Sequence, residues 1–543
     1  MTTEPGAVAP TPNDVDADAD ADGATRGLIA RLRDDLAAAR FTVASLEGLW
    51  GADAASALHR GERVPARRVL DARRAAHGAS ADLATLAELF VLGLPVPAAD
   101  VAHALPALGI DGAVLLGLLG HDVGHGLGES LRAMLDLRPY AFSDALGSAE
   151  WWILSDLGEL ALGHALGERH VLGVGGASTT LSGLMLPTPA RRVLDLGTGC
   201  GIQAMHASRL AQHVVATDIS TRALEIARLN MMLNDIGGVE FRLGSLFEPV
   251  EGERFDRILS NPPFVITPRG GDVPEYDYRD GGMVGDALVE AVIRGVADHL
   301  EPGGIAQLLG NWEYRGRREA LDRVRAWVTG LDHWVVEREV QHVTVYAETW
   351  IRDGGTRHGT PEFDRLYDAW LDDFAARGVH QVGFGYVLLR RADDSGRRPR
   401  LARLERLHGP LGDNGSGLGG HLAECLAAHD RQASLDDAEL ASAHLVVAGD
   451  VTEERHYWPG DEDPTAMLLR QGGGFGRAIT LDTGLAALVG ACDGVLSVGA
   501  IVAALAHLLE VDESALSAEL LPAVRTLIDD GMLHFAESDL GPE

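Results

Sequence analysis

The chain reads as an α/β protein in which a parallel-sheet core lies between an N-terminal helical module and a C-terminal α+β module. Three observations predict this. From about Arg192 onward, β-prone apolar runs alternate with helical patterns, as a parallel sheet with crossover helices requires. Between about Thr25 and Tyr140 the apolar positions fall at helical spacing, beginning with Leu28, Ile29, Leu32 and Leu36. After a polar, Arg-rich stretch from Arg391 to Arg406 the composition changes again. The expected divisions are a tail over 1–24, a helical domain over 25–150, the α/β domain over 151–393 and a C-terminal domain over 394–543.

Composition narrows the classes. The 543 residues suit two to four domains, and 46% hydrophobic content can fill several cores. The first 24 residues are rich in Pro, Ala and Asp, with an Asp-Ala repeat from Asp16 to Asp22, and have little to bury. They lack the basic and apolar regions of a secretory signal, and no apolar run is long enough to span a membrane. Cys200, Cys425 and Cys492 are scattered, which suits a reducing cytoplasm better than a disulfide framework or a zinc site. Net charge is −34, and all 46 basic residues are arginine. The absence of lysine excludes a Walker A loop and Schiff-base chemistry. An acidic chain also disfavours non-specific binding to phosphate backbones. The arginines at 315, 317, 318, 390, 391, 397, 398, 400, 403 and 406 could form a local track, but read more simply as a solvated face and a linker.

The elements follow in order. Leu83 to Leu105 reads as helix, Gly/Pro turn, helix, followed by a Gly-rich loop and strands around Leu131–Tyr140 and Trp151–Leu154. That order would suit a winged-helix-like module as well as a plain helical bundle. His121 and His125 in the Gly-rich loop read as surface residues, and no metal site is expected. In the core, strands are expected at Val193–Leu196, Val214–Thr217, Val239–Leu243, Phe255–Ser260 and Ile305–Leu309. Helices are expected at Ile202–Leu210, Arg222–Leu233 and Met283–Leu300. Later strands are expected at Trp334–Val340, Thr344–Trp350 and Gln381–Leu389, with an inserted helix at Glu362–Arg377. Gly484 to Phe535 suits a second winged-helix-like module or a generic helical packing domain.

Two segments carry the chemistry. The first is Asp195-Leu196-Gly197-Thr198-Gly199-Cys200-Gly201, at the end of an apolar strand and before a helix. Glycines there let backbone approach a ligand, and the helix amides suit an anionic group. A dinucleotide fingerprint would place its third glycine at position 202, which is Ile202. The second is Asn261-Pro262-Pro263-Phe264, at the end of a later strand. Prolines fix φ and remove backbone donors, leaving carbonyls free to accept.

The glycine turn resembles motif I of the class I S-adenosylmethionine-dependent methyltransferases. Asn-Pro-Pro-Phe resembles the motif by which their N-methyltransferase branch holds a planar nitrogen. The resemblance covers roughly positions 170 to 310 and implies a Rossmann-like core with S-adenosylmethionine as cofactor. It implies that Asp218, about twenty residues past the turn, accepts both ribose hydroxyls, and that Asp195 orients the loop and the cofactor's amino-acid end. Gly197, Thr198, Gly199 and Gly201 would form the cofactor turn. Ser245 and Leu246 occupy the place where relatives carry an Asp that contacts adenine; Ser is a departure from that pattern. Asn261, Pro262 and Phe264 would hold the methyl acceptor. Val265-Ile266-Thr267-Pro268, Arg279-Asp280-Gly281-Gly282 and Leu300-Glu-Pro-Gly-Gly look more like release-factor glutamine methyltransferases than like rRNA guanine enzymes. The resemblance therefore implies a macromolecular acceptor: a protein glutamine, such as that of a release factor, ahead of adenine or guanine nitrogen in RNA or DNA. A non-catalytic regulator that keeps the cofactor fold and binds nucleic acid is the other class, and the intact Asn-Pro-Pro-Phe argues against it.

Overall fold

Eight strands rich in Val, Ile and Leu form the central sheet of the computed structural model, which describes residues 12–75, 81–121, 130–162, 166, 167, 169–269, 273, 281–317, 319–393 and 400–536. They are β1 (Ala190–Leu196), β2 (Ala211–Asp218), β3 (Val239–Leu243), β4 (Phe255–Ser260), β5 (Leu300–Arg315), β6 (Asp332–His342), β7 (Val379–Arg390) and β8 (Ala402–Arg406). Their order is β8-β6-β7-β5-β4-β1-β2-β3. The run from β3 to β5 is parallel, whereas β7 enters antiparallel between β5 and β6. After β3 the chain returns to pair β4 on the other side of β1. The strand order therefore reverses between β1 and β4, and a crevice opens at their carboxyl ends, where such sheets bind ligands. Successive residues feed different cores: Val193 and Val214 face one, Leu194 and Val215 the other.

Most expected core elements form within a few residues of their predicted bounds; the strand expected at Ile305–Leu309 extends over Leu300–Arg315, and one element changes type. Thr344–Trp350 alternates like a strand but lies within a helix, Val343–Asp353. His342 caps it, accepting the Thr344 N–H, and Val343, Tyr346, Ala347 and Ile351 supply a buried helical face. Burial against β7 and the helix Pro361–Ala376 outweighs the β-branched propensity of Val343, Thr344 and Val345.

The N-terminal module runs helix, strand Val96–Pro97, helices Ala98–Ala104 and Gly109–Leu115, then strands Leu119–His121 and Ser130–Ala133. The last strand pairs with both others, which is the connectivity of a winged helix. The first helix, Pro12–Ala38, begins inside the segment expected to be a structureless tail; alanine's helix propensity and a proline at the start suit that state. His125 lies outside the described residues. The single strand expected over Leu131–Tyr140 is divided: after Ser130–Ala133 the chain enters a hairpin, Asp136–Asp144 with Gly147–Ser155, which crosses the expected boundary at 150.

That hairpin is held to the core by side chains. Asn230 Oδ1 accepts the Leu154 N–H at 2.7 Å, and its Nδ2 donates to the carbonyls of Leu154 and Cys200. Asn234 brackets Trp152 in the same way, one helical turn on. The two amides thus stand in for a neighbouring strand along the hairpin's edge. On the hairpin's other strand, Tyr140 and Phe142 join Trp151 around His206 of the helix Ile202–Ser208. Burial lowers the His206 pKa to about 4.

The Arg-rich segment also differs from its expected role as a linker. Ala402–Arg406 is a sheet strand paired parallel to β6. Arg403 pairs with Glu405 and Asp530, Arg406 with Glu319 and Glu337, and Arg390 with Asp332 and Asp430. The pairs Arg403–Asp530 and Arg390–Asp430 tie the C-terminal module to the sheet, and the others neutralise these arginines within it. Residues 318, 397 and 398 lie outside the described residues. Over Gly484–Phe535 the helices Thr483–Gly490, Val498–Leu509 and Glu513–Asp529 form, but the stretch around Asp493, whose periodicity reads as helical, is a strand, Asp493–Ser497. The central strand of the C-terminal module's sheet is His444–Val447, contributed from forty residues upstream. Among the described residues no single helix is long and apolar enough to cross a membrane. The bent pair Ala98–Ala104 and Gly109–Leu115 passes by composition, but it buries Val101, Leu105 and Ala113 in the N-terminal core.

Candidate functional site

β1 ends at Leu196, and the next residues cannot continue as a strand because Gly197, Gly199 and Gly201 all have positive φ. A Cβ at Gly197 or Gly199 would meet no protein atom within 4 Å, so these two glycines leave backbone open to a ligand. Gly201 serves packing instead. A Cβ there would lie 3.0 Å from Ala227 Cβ, so the turn and helix Thr221–Leu233 approach as closely as they do only because of glycine.

Asp195 is the brace behind this turn. Its Oδ2 accepts the Thr198 hydroxyl at 2.6 Å and the Ala204 N–H at 2.9 Å, while its buried Oδ1 has no hydrogen-bond partner. Burial raises its pKa to about 7. Asp218 closes β2 and joins two turns: Oδ2 accepts the Gly199 N–H and Oδ1 the Ser220 N–H, each at 2.9 Å.

Across the reversal in strand order, Ser260 lies beside Leu196, and its hydroxyl donates to the Leu196 carbonyl at 2.8 Å. The next residue, Asn261, lines the crevice, and its Oδ1 is buried without a hydrogen-bond partner among the described residues. Pro262 is buried and Pro263 half-buried. Phe264 meets Trp350 and Phe384 edge-on at 6.4 and 6.3 Å.

These parts line one cleft of about 600 Å³. Of the sequence-predicted residues, Gly197, Thr198, Gly199, Asp218, Ser245, Leu246, Asn261, Pro262 and Phe264 line it; Asp195 and Gly201 stand behind it. Leu246 holds a left-handed φ of 48°, unusual for a branched residue, which re-aims the chain after β3. The stretch from Gly173 to Ser178 also borders the cleft, and Gln203 ties it down by donating to the Ser178 carbonyl at 2.7 Å. Sequence reasoning missed Ile219, which is 65% exposed beside Asp218 and offers an apolar wall. Its position directly after the acidic residue was a usable signal. Trp350 and Asp353 were also missed, because their helix was read as a strand.

A glycine cradle with open backbone, a carboxylate at the end of the second strand and an apolar wall fit S-adenosylmethionine, whose charged, hydroxylated and flat parts need those three surfaces. The methyltransferase small domain family model matches residues 174–324, and two domains of unknown function match 38–130 and 426–535. The chain is 39% identical to the release factor glutamine methyltransferase of Xylella fastidiosa over 132 residues, 23% of this chain and 48% of that one. It is 31% identical over 136 residues to a "Putative protein N5-glutamine methyltransferase" of Methanocaldococcus jannaschii, covering 24% of this chain and 68% of that one. It is 36% identical over 128 residues to the ribosomal protein uL3 glutamine methyltransferase of Bradyrhizobium diazoefficiens, covering 22% and 40%. The chain thus spans about half the length of the first curated relatives it matches. It belongs to the class I S-adenosylmethionine-dependent methyltransferases, and the three relatives above carry the name of glutamine methyltransferases.

Proposed function

We propose that the protein transfers a methyl group to the side-chain amide nitrogen of a protein glutamine. The observation that carries this reading is the buried Oδ1 of Asn261, without a hydrogen-bond partner among the described residues, on a residue that lines the same cleft as the glycine turn. A buried carbonyl oxygen without a donor is costly to keep, so its retention points to a ligand N–H. A primary amide supplies that donor and the planar nitrogen beside it.

Gly197, Thr198 and Gly199 would hold the cofactor's charged end through backbone, and Asp218 its ribose hydroxyls. Ile219 and Leu246 would flank the base, with Ser245 at its polar edge. Bound there, S-adenosylmethionine supplies an electrophilic methyl group. Asn261 Oδ1 accepts one N–H of the acceptor amide and the Pro262 carbonyl a second, which fixes the nitrogen and orients its lone pair. Phe264 packs on the planar group. Transfer would break the sulfonium C–S bond, leaving a neutral thioether, and form one C–N bond, with the proton of the methylated nitrogen passing to solvent. That proton is strongly acidic once the nitrogen is alkylated, so no residue must remove it beforehand. The rate gain comes from positioning and from the carbonyl dipoles facing the nitrogen as it becomes positive.

The charge balance and the arginines already engaged in ion pairs favour a protein acceptor, such as a release factor, over RNA or DNA. The test is transfer of labelled methyl from S-adenosylmethionine into lysate, followed by protease or nuclease digestion. Label released by protease and mapped by mass spectrometry to glutamine supports the reading. Label released only by nuclease refutes it.

A further inference from the structure

Two fully buried side chains stand directly behind the Asn261–Phe264 turn. Asn311 lies on β5 past the point where Leu308 pairs with Ser260, so it reaches beyond the end of β4. Its Nδ2 donates to the Phe264 carbonyl and lies 3.3 Å from the Tyr346 hydroxyl. The Tyr346 oxygen in turn accepts the Ile266 N–H at 2.9 Å. Neither residue lines the cleft.

The turn needs such a restraint. Pro262 and Pro263 have no N–H, so two of the turn's backbone donors are missing and it leans on side chains behind it. The supports are themselves fixed: the Tyr346 ring stacks on Phe384 at 5.6 Å and meets Trp370 and Phe374 at 6.0 and 5.9 Å.

We propose that Asn311 and Tyr346 are positioning residues: they hold the Phe264 carbonyl and the Ile266 amide so that Asn261 Oδ1 stays directed at the acceptor nitrogen. This rests on the reading of Asn261 given above. It makes the inserted helices Val343–Asp353 and Pro361–Ala376 part of the active-site frame, since they carry Tyr346 and the rings around it.

The test uses the full chain with Tyr346→Phe, which keeps the ring, and Asn311→Ser. Three readouts are compared: S-adenosylmethionine affinity by calorimetry, kcat and KM on a synthetic glutamine-centred peptide, and amide hydrogen exchange at Ile266. The expected result is a roughly tenfold lower kcat with cofactor affinity within twofold of wild type, and roughly tenfold faster Ile266 exchange in Tyr346→Phe. A kcat within twofold of wild type, or unchanged Ile266 exchange, overturns the proposal. So does a loss of cofactor affinity that matches the loss of kcat, which would mark a general loosening. Wild-type protein that binds cofactor yet does not methylate the peptide sinks the glutamine reading instead; Ile266 exchange still decides the brace.

Discussion

Asn261→Ala separates catalysis from binding and from folding. The Asn261 oxygen is buried without a hydrogen-bond partner among the described residues, so its removal breaks no bond seen there. The loss should therefore fall on the step at which the acceptor nitrogen becomes positive. A preorganised dipole facing developing charge in a closed site is worth about 2–4 kcal/mol. At about 1.4 kcal/mol per decade, kcat should fall by roughly 30- to 1,000-fold. Cofactor affinity should stay within about threefold, because Asp218 and the glycine turn are untouched, and the thermal midpoint should move by no more than about 2 °C. The assay is single-turnover methyl transfer at saturating S-adenosylmethionine, with calorimetry for affinity and a melting curve for the fold. A kcat within threefold of wild type would refute the role of Asn261. An affinity loss equal to the rate loss would refute the division of labour between the two turns.

Asp218→Ala removes the carboxylate that accepts the Gly199 and Ser220 amides and would hold the ribose; cofactor affinity should weaken at least roughly thirtyfold, about 2 kcal/mol, and unchanged calorimetric affinity counts against it. Gly201→Ala places a Cβ against Ala227 at a φ of 90° and should cost about 1–3 kcal/mol in denaturant unfolding. Gly197→Ala meets no protein atom, so it should cost about 1 kcal/mol of stability but markedly weaken cofactor binding; the reverse ranking would disprove the assignment of the two glycines. Asp195 has a folded pKa near 7 against an ordinary carboxylate value when unfolded. Between about pH 4 and 7 the folded state then binds the extra proton, so stability falls as pH rises through that window and levels off above it. Asp195→Asn should flatten that slope in unfolding measured from pH 4 to 8, and an unaltered slope would exclude Asp195 as its source.

Much of the site was legible because its chemistry is local. Three glycines, two prolines and Asp218 each impose a backbone state or an end-of-strand position that neighbouring residues already dictate, so their register could be read before any contact was known. Trp350 and Tyr346 were not legible. Alternating Val, Thr and Val beside aromatics satisfies a strand pattern and a short helix alike, and burial against β7 decided between them. The Arg-rich segment misled for a related reason: charge runs look solvated until carboxylates from distant positions, such as Asp530 opposite Arg403, arrive to neutralise them.

The sequence by itself determined the parallel α/β core and the places of the glycine turn and the Asn-Pro-Pro-Phe turn at strand ends, since periodicity and backbone chemistry act over a few residues. Tertiary structure alone decided which polar atoms stay without partners. Asp195 faces inward to brace the turn, with one oxygen left over, whereas Asn261 lies on the cleft wall with its side-chain oxygen buried. That difference depends on where strands 64 residues apart in sequence come to lie side by side.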